Sequence, residues 1–379
     1  METLKIAFYT DSYLPSIDGV VAAILSARKE LERRGHEVYI FAAGNGETEK
    51  IARNDKNIVV MKGLKFPRYP QYTIAIPSIY SERIRMINPD VIHAHTPFSA
   101  GVSALMAKRS TGASLVSTFH TIIFSDQALA GYMSGNRLAI GVAKSAILKY
   151  LKWFYNRNDA VIAPSNFVRA LLSKNGIKNI HLVPNGVDFS GLKRVGKTAA
   201  RRRLGIRKTD RVILYFGRIG AEKNLEFLVR AAHVMNDGNT TVVLAGTGPN
   251  LRHLENVNHM LKNKCVKFVG FVPNRLVPYY YSAADVFCNP SLFENQSTVD
   301  LYAAGYRLPL LVPDGTAQTE MLSYQNCGLR FNPNSISDLA DKLGEAYESR
   351  KKFKFNKIVG EFDIKNTVDG LLSLYNKVV

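Results

Sequence analysis

Short apolar runs separated by helix-patterned segments recur along this chain in two series. The first series is KIAFYT, EVYIFAA, NIVVM, DVIHAH, SLVSTFH and AVIAPS, with Ala22 to Arg34 reading as an amphipathic helix between its first two members. The second restarts at RVILYFGRI and continues through TTVVLAG, VKFVGFV, DVFCNP and PLLVP. Runs that are apolar at nearly every position suit strands covered on both faces, and intervening helices are what a parallel sheet requires. The sequence therefore predicts an α/β protein with two doubly wound domains. A length of 379 residues agrees, because a single core stops growing before that size. The halves share no sequence repeat, and no tract is of low complexity.

Cys265, Cys288 and Cys327 stand far apart and outside any metal-ligand spacing. They read as reduced thiols of a cytosolic protein, and no metal is expected. The opening METLKIAFYTDSYLP lacks the charged start and long apolar stretch of a signal peptide. No window approaches the roughly eighteen consecutive apolar residues of a membrane span. The formal charge of +19 favours phosphates, whether on nucleic acid, anionic lipid or a nucleotide, and the sign alone does not choose among them. No nucleic-acid recognition motif accompanies it, so no nucleic-acid partner is expected. Leu192 to Arg211 carries nine basic residues against one acid, and the ordinary reading of such a run is a solvated linker or helix face.

In doubly wound sheets, ligands collect at the carboxyl ends of the strands. Asp11, Asp18 and Gly19 follow the first strand, His93 and His95 end DVIHAH, and His120 ends SLVSTFH. In the second series Gly217 and Arg218 follow ILYF, Gly246, Thr247 and Gly248 follow VVLA, and Glu294 lies just beyond DVFCNPS. Glycines at 217, 246, 248 and 270 let backbone approach a ligand closely. Arg218 and Lys223 offer fixed positive charge to phosphate oxygens. Ser297 and Thr298 stand where a helix should begin, with backbone N–H groups turned toward an anion. Together these describe a diphosphate cradle. Each has a plainer reading alone: AGTGPN as a turn, Arg218 as a surface ion-pair partner, the strand-end histidines as hydrogen-bonded core residues. Their co-occurrence at one sheet edge favours the functional reading.

The ordered set PSIDGV, PDVIHAHTP, TFHT, AVIAPSNFV, LVPNGVD, YFGRIGAEKN, LAGTGP, FVGFV and SLFENQSTVDLYAAGYRLP resembles the family 4 retaining glycosyltransferases over almost the whole chain. The resemblance implies the GT-B fold, two Rossmann-like domains facing across a cleft. It implies an acceptor-binding domain over 1–188, a nucleotide-sugar-binding domain over 189–361, and a C-terminal helix over 362–379 that returns to the first domain. Four catalytic residues are implied. His120 would face the transferred sugar, Arg218 and Lys223 would hold the diphosphate and stabilise the departing nucleotide, and Glu294 would contact the sugar hydroxyls. The implied donor-binding residues are Gly19, Gly217, Gly246, Thr247, Gly248, the backbone near Val272 against the base, and Asn295, Gln296, Ser297 and Thr298 as backbone donors. A nucleotide diphosphate sugar, UDP- or GDP-linked, would be the co-substrate, with no cofactor and no metal.

Two positions depart from the family pattern. Asp18 replaces the first of two adjacent glycines, adding negative charge near a phosphate path. Tyr302 stands where the family has its ribose-binding glutamate, and Asp300 cannot simply substitute, since two residues along a helix is about 200° around the axis. A phenol offers one oxygen where a carboxylate offers two, a loss of about 1 to 3 kcal/mol. The site is expected to be altered but working.

FYTDSYLPSIDGVV, HAHTPFSAG and FHTIIF are most similar to the branch that glucosylates diacylglycerol and related lipids. Arg137 to Arg157 is apolar at helical spacing, bears Lys144, Lys149, Lys152 and Arg157, and presents Trp153 with Tyr150 and Tyr155, a composition suited to a membrane interface. The plainer alternative turns Leu148, Leu151 and Phe154 toward a core. The expected reaction moves a hexose from a nucleotide diphosphate sugar to a hydroxyl of a lipid or lipid-linked acceptor. It proceeds with retention, in the cytoplasm at the inner face of the cell membrane, on an anionic surface. A soluble sugar acceptor, a 2-epimerase-like activity and non-catalytic sugar-nucleotide binding remain open.

Overall fold

A computed structural model describes residues 2–16, 18–44, 46–66, 69–76, 81–120, 122, 137–235 and 237–379. Among them the chain divides into two compact units, one running to Val187 and including Ile364–Val379, the other built on Asp188–Asp363.

The first unit holds β1 (Lys5–Thr10), β2 (Glu37–Gly44), β3 (Ile58–Phe66), β4 (Tyr69–Ala75), β5 (Val91–Ala94), β6 (Ser114–Thr118), β7 (Ala160–Ala163) and β8 (Ile180–Leu182). They form one sheet in the order β4-β3-β2-β1-β5-β6-β7-β8. Neighbours are parallel except β3 and β4, an antiparallel edge pair. In β1 the run Ile6, Ala7, Phe8 and Tyr9 is buried throughout because the sheet has a core on each face. Phe8 packs with Ile24 and Leu31 of the helix Gly19–Arg33. Tyr9 belongs to the opposite core, with Leu115 and Phe154. The last helix, Ile364–Val378, lies on the first of these faces, where Val368, Leu371, Leu372 and Tyr375 join Phe8 and Ile24. The C-terminal helix thus returns to the first domain.

The second unit holds β9 (Arg211–Phe216), β10 (Thr240–Ala245), β11 (Val266–Gly270), β12 (Val286–Cys288), β13 (Leu310–Pro313) and β14 (Gly328–Phe331). All are parallel, in the order β11-β10-β9-β12-β13-β14. In each sheet the direction of strand addition reverses beside its first strand, at β1/β5 and at β9/β12. Loops leaving such a point diverge and open a crevice at the carboxyl edge.

The basic run from Leu192 to Arg211 is largely exposed, as a solvated linker or helix face would be, with one exception among its basic residues. It forms a short helix, Lys197–Arg203, and Arg201 is only 5% exposed. Its guanidinium donates to Asp285 Oδ2 and Lys208 O, both at 2.6 Å, and to Ala283 O at 3.1 Å. Asp285 also accepts from Lys197 Nζ at 2.7 Å and Val212 N at 2.8 Å. The pair therefore ties this helix to the starts of β9 and β12. Removing one partner of a buried ion pair leaves the other uncompensated. Arg201→Ala is expected to lower the unfolding free energy by about 3 kcal/mol in urea titrations, and the exposed neighbour change Arg202→Ala by less than about 0.5 kcal/mol.

Candidate active site

At the β9/β12 switch point the two diverging loops are joined by an ion pair. Beyond β9, Lys223 ends the 3-10 turn Ala221–Lys223, and its Nζ lies 2.7 Å from Oε1 of Glu294 in the loop after β12. Both side chains are largely buried, 22% and 14% exposed. Burial alone would pull the ammonium down, but Glu294 beside it reverses this and holds Lys223 above the ordinary lysine range. Arg218, closer to the strand end, pairs with Glu222 at 2.6 Å and is more open. Ser297 caps the helix Thr298–Gly305, its hydroxyl accepting from Asp300 N. Lys223, Arg218 and a helix N-terminus therefore converge near one sheet edge, a set of donors suited to an anionic group.

The glycines after β9 and β10 also have a packing role. At Gly246, with φ of +146°, a Cβ would sit 1.8 Å from Gly217 O, and at Gly248 it would sit 2.2 Å from Ile219 O. The space a side chain would occupy is filled by the neighbouring loop rather than left open for a ligand. Gly217 N donates to Ala245 O at 2.9 Å and Ile219 N to Thr247 O at 2.8 Å, so the strand ladder extends past β9 and β10. Their small size lets two loops pack together and fixes where Arg218 emerges. Val272 is buried in the turn after β11, and the adjoining Phe271 is 69% exposed.

In the first unit the β1/β5 switch point gathers three histidines. His93 is held by Tyr375 Oη at 2.6 Å and Thr118 Oγ1 at 2.7 Å, the bland reading of a strand-end histidine. His95 Nδ1 lies 3.0 Å from His120 Nε2, and the two rings stack. Burial pushes all three down, His93 to about 3 and His120 to about 4, so each is neutral at pH 7. A cavity of about 30 Å³ lies beside them, lined also by Asn185, Gly186 and Thr367. Asp11 is structural: it accepts from Thr96 Oγ1 at 2.6 Å and Ala100 N at 2.9 Å and also bonds Ser99, securing the start of the helix Ser99–Thr111.

Comparison with known proteins supplies the family. Residues 17–190 match the description "Glycosyltransferase Family 4" and residues 196–359 match "Glycosyl transferases group 1". The chain belongs to glycosyltransferase family 4. It is 27% identical over 355 residues to the alpha-monoglucosyldiacylglycerol synthase of Streptococcus pneumoniae, covering 90% of this chain and 78% of that protein. The enzyme of the same name from Acholeplasma laidlawii is 27% identical over 347 residues, covering 87% and 85%. Anabaena HepE, solved in complex with UDP and glucose, superposes with a TM-score of 0.77 at 18% identity, covering 99% of this chain and 100% of that one. That likeness establishes the GT-B fold.

The two positions expected to depart from the family pattern, Asp18 and Tyr302, both belong to helices. Asp18 caps the helix Gly19–Arg33, accepting from Val21 N at 2.9 Å and from Ser12 Oγ at 2.6 Å. Its carboxylate is thus turned to local donors, and a Cβ at Gly19 would meet nothing within 4 Å. Tyr302 is half-buried on the helix Thr298–Gly305, and burial raises its phenol, with Asp188 adding to the effect.

The helix Arg137–Tyr155 divides its aromatic residues. Leu151, Phe154 and Tyr155 are buried, Leu148 packs against the same core, and Tyr150 donates to Pro97 O. Tyr155 is therefore a core residue and not an interfacial one. Lys149, Lys152 and Trp153 face outward, with Arg157 lying 4.6 Å over the indole. Of FHTIIF, positions 121, 123 and 124 lie outside the described residues. Sequence reasoning missed Glu222, Asn289 and Gln318, whose polarity carries no positional signal until the fold brings them to the site. If Asp18 serves the helix rather than the donor, Asp18→Ala should cost about 1 kcal/mol of unfolding free energy and leave UDP affinity, read by calorimetry, within about twofold. A large change in affinity with unchanged stability would assign it to the donor.

Proposed function

We propose that this family 4 glycosyltransferase moves a hexose from a nucleotide diphosphate sugar to a hydroxyl of a lipid acceptor at a membrane surface, with retention at the anomeric carbon. The observation that carries the reading is the Lys223–Glu294 pair at the β9/β12 switch point, beside the N-terminus of Thr298–Gly305. It is supported by relatives that are named as lipid glucosyltransferases and matched over most of their length. The UDP in HepE belongs to that protein and supports a UDP-linked donor here.

In this reading Lys223 and Arg218 take the diphosphate oxygens and the helix N-terminus adds its partial positive charge. Glu294, already oriented by Lys223, is left to accept from the sugar hydroxyls. The acceptor oxygen bonds to the anomeric carbon on the face from which the phosphate leaves. The electron pair of the breaking bond passes to the phosphate, which takes the acceptor proton, so no side-chain nucleophile is required. His120, neutral and tied through Nε2 to His95, contributes a hydrogen bond from its other nitrogen and not a proton. Charge neutralisation rests on cationic side chains and backbone, so transfer is expected to persist in EDTA.

Incubation with UDP- and GDP-sugars, with and without lipid extract, followed by mass analysis, should yield a glycolipid only when lipid is present. Epimerised or merely hydrolysed nucleotide product would contradict the reading. Lys223→Ala should lower turnover by about a hundredfold; a loss below about threefold would mean that the phosphates lie elsewhere.

Membrane attachment is assigned to the outward face of Arg137–Tyr155. Each lysine near an anionic surface contributes about 1 kcal/mol, so Lys149 and Lys152 support reversible adsorption. Binding to anionic vesicles should fall steeply as salt is raised and weaken in Lys149→Glu/Lys152→Glu. Equal sedimentation with neutral and anionic vesicles, or none with either, would favour a soluble acceptor.

A further inference from the structure

The helix that opens at Thr298 is anchored by a carboxylate that the transfer chemistry does not use. Asp300 is wholly buried. Its Oδ1 accepts from Asn289 Nδ2 at 2.9 Å and its Oδ2 from Gln318 Nε2 at 3.0 Å. Asn289 Nδ2 also reaches Ser297 Oγ at 3.1 Å, the same oxygen that caps the helix, and Gln318 Nε2 also donates to Asn289 O at 3.2 Å. The end of β12, the start of the helix and Gln318 are thereby joined through one carboxyl group. Among the described residues it forms no ion pair.

Gln318 Oε1, in the same amide, is buried without a hydrogen-bond partner. A half-turn of that amide exchanges Nε2 and Oε1. An ionised Asp300 needs the N–H, whereas a protonated Asp300 has an O–H to donate and needs the oxygen. Turning the amide gives a protonated Asp300 an acceptor at the cost of the bond from Gln318 Nε2 to Asn289 O, so the arrangement as it stands serves the ionised form and the turned one the neutral form.

We infer that Asp300 is a positioning residue that takes up a proton when the donor diphosphate binds, so that donor affinity depends on pH around neutrality. This rests on the reading above that the diphosphate sits at Lys223 and the helix N-terminus. A dianionic group brought to the first turn of the helix disfavours a second negative charge within that turn. Burial already pushes the Asp300 carboxyl up to about 7, Glu294 adds to the push, and hydrogen bonds from Gln318, Asn289 and Ser297 oppose it. Lys223 is the cation that senses this carboxylate. Tyr215, Tyr281, Cys288 and Cys327 sense it too, and burial raises each of them, leaving them neutral at pH 7. The sign follows: bound anion raises the Asp300 pKa further, so affinity is greatest below the free-protein value and declines as pH rises through it.

The test is calorimetric titration of UDP-glucose, whose diphosphate diester has no titrating proton in this range, at several pH values between about 6 and 8.5, in two buffers of different ionisation enthalpy. Kd should rise by up to about tenfold across the range for a pKa displaced by one unit, with fractional proton uptake near pH 7. In the Asp300→Asn variant the uptake should vanish and Kd become flat. Gln318→Leu provides a second check: losing a donor to the ionised form should move the midpoint upward. A flat Kd in the unaltered protein, or an unchanged slope in Asp300→Asn, would overturn the inference while leaving the donor site in place. No binding at any pH would contradict the donor-site reading itself and the linkage with it.

Discussion

The ion pair between Lys223 and Glu294 closes a gap that the topology of the second sheet forces open. Strands covered by helices on both faces can present chemistry only at their ends, and at the reversal between β9 and β12 the two loops leave in opposite directions. The pair spans 71 residues of sequence and brings those loops to one place. Without it, a lysine and a glutamate would each be partly buried without compensation. With it, the two charges offset each other, and the lysine keeps donors to spare. The glycines serve the same end, since Gly246 and Gly248 allow the β10 loop to lie against backbone on which Arg218 is mounted.

Part of the basic run from Leu192 to Arg211 has partners within the second unit. Arg201 is committed to Asp285, Arg207 to Asp210, and Arg194 donates to Gly305 O. In the proposed function a phosphate-bearing partner would meet the cations placed at the carboxyl edge. In the first unit the histidines follow the opposite rule. They are stacked and buried, which leaves them uncharged and turns His95 and His120 into paired hydrogen-bonding groups.

The strands and their parallel order were legible because burial on both faces makes every position apolar, a pattern few other elements share. The family was legible from motif order, and the helix start at Ser297 from its capping side chain. What escaped were partners set by distance in sequence. Nothing local distinguishes Arg201 from Arg202, yet only the first turns inward, to an aspartate 84 residues away. Trp153 and Tyr155 looked alike, but two residues along a helix place them on opposite sides. Asp300 was set aside on the same helical geometry; its burial depends on Asn289 and Gln318, 11 and 18 residues distant. The β3–β4 antiparallel edge was missed because a sheet's border is decided by what fails to cover it, not by its own residues.

The central claim is that the donor diphosphate is held at the β9/β12 switch point by Lys223, Arg218 and the start of Thr298–Gly305. A crystal structure with UDP-glucose bound tests it most directly. The account predicts phosphate oxygens within hydrogen-bonding distance of Lys223 Nζ and the Arg218 guanidinium, with Glu294 accepting from the hexose hydroxyls. Diphosphate bound away from all three side chains would contradict it.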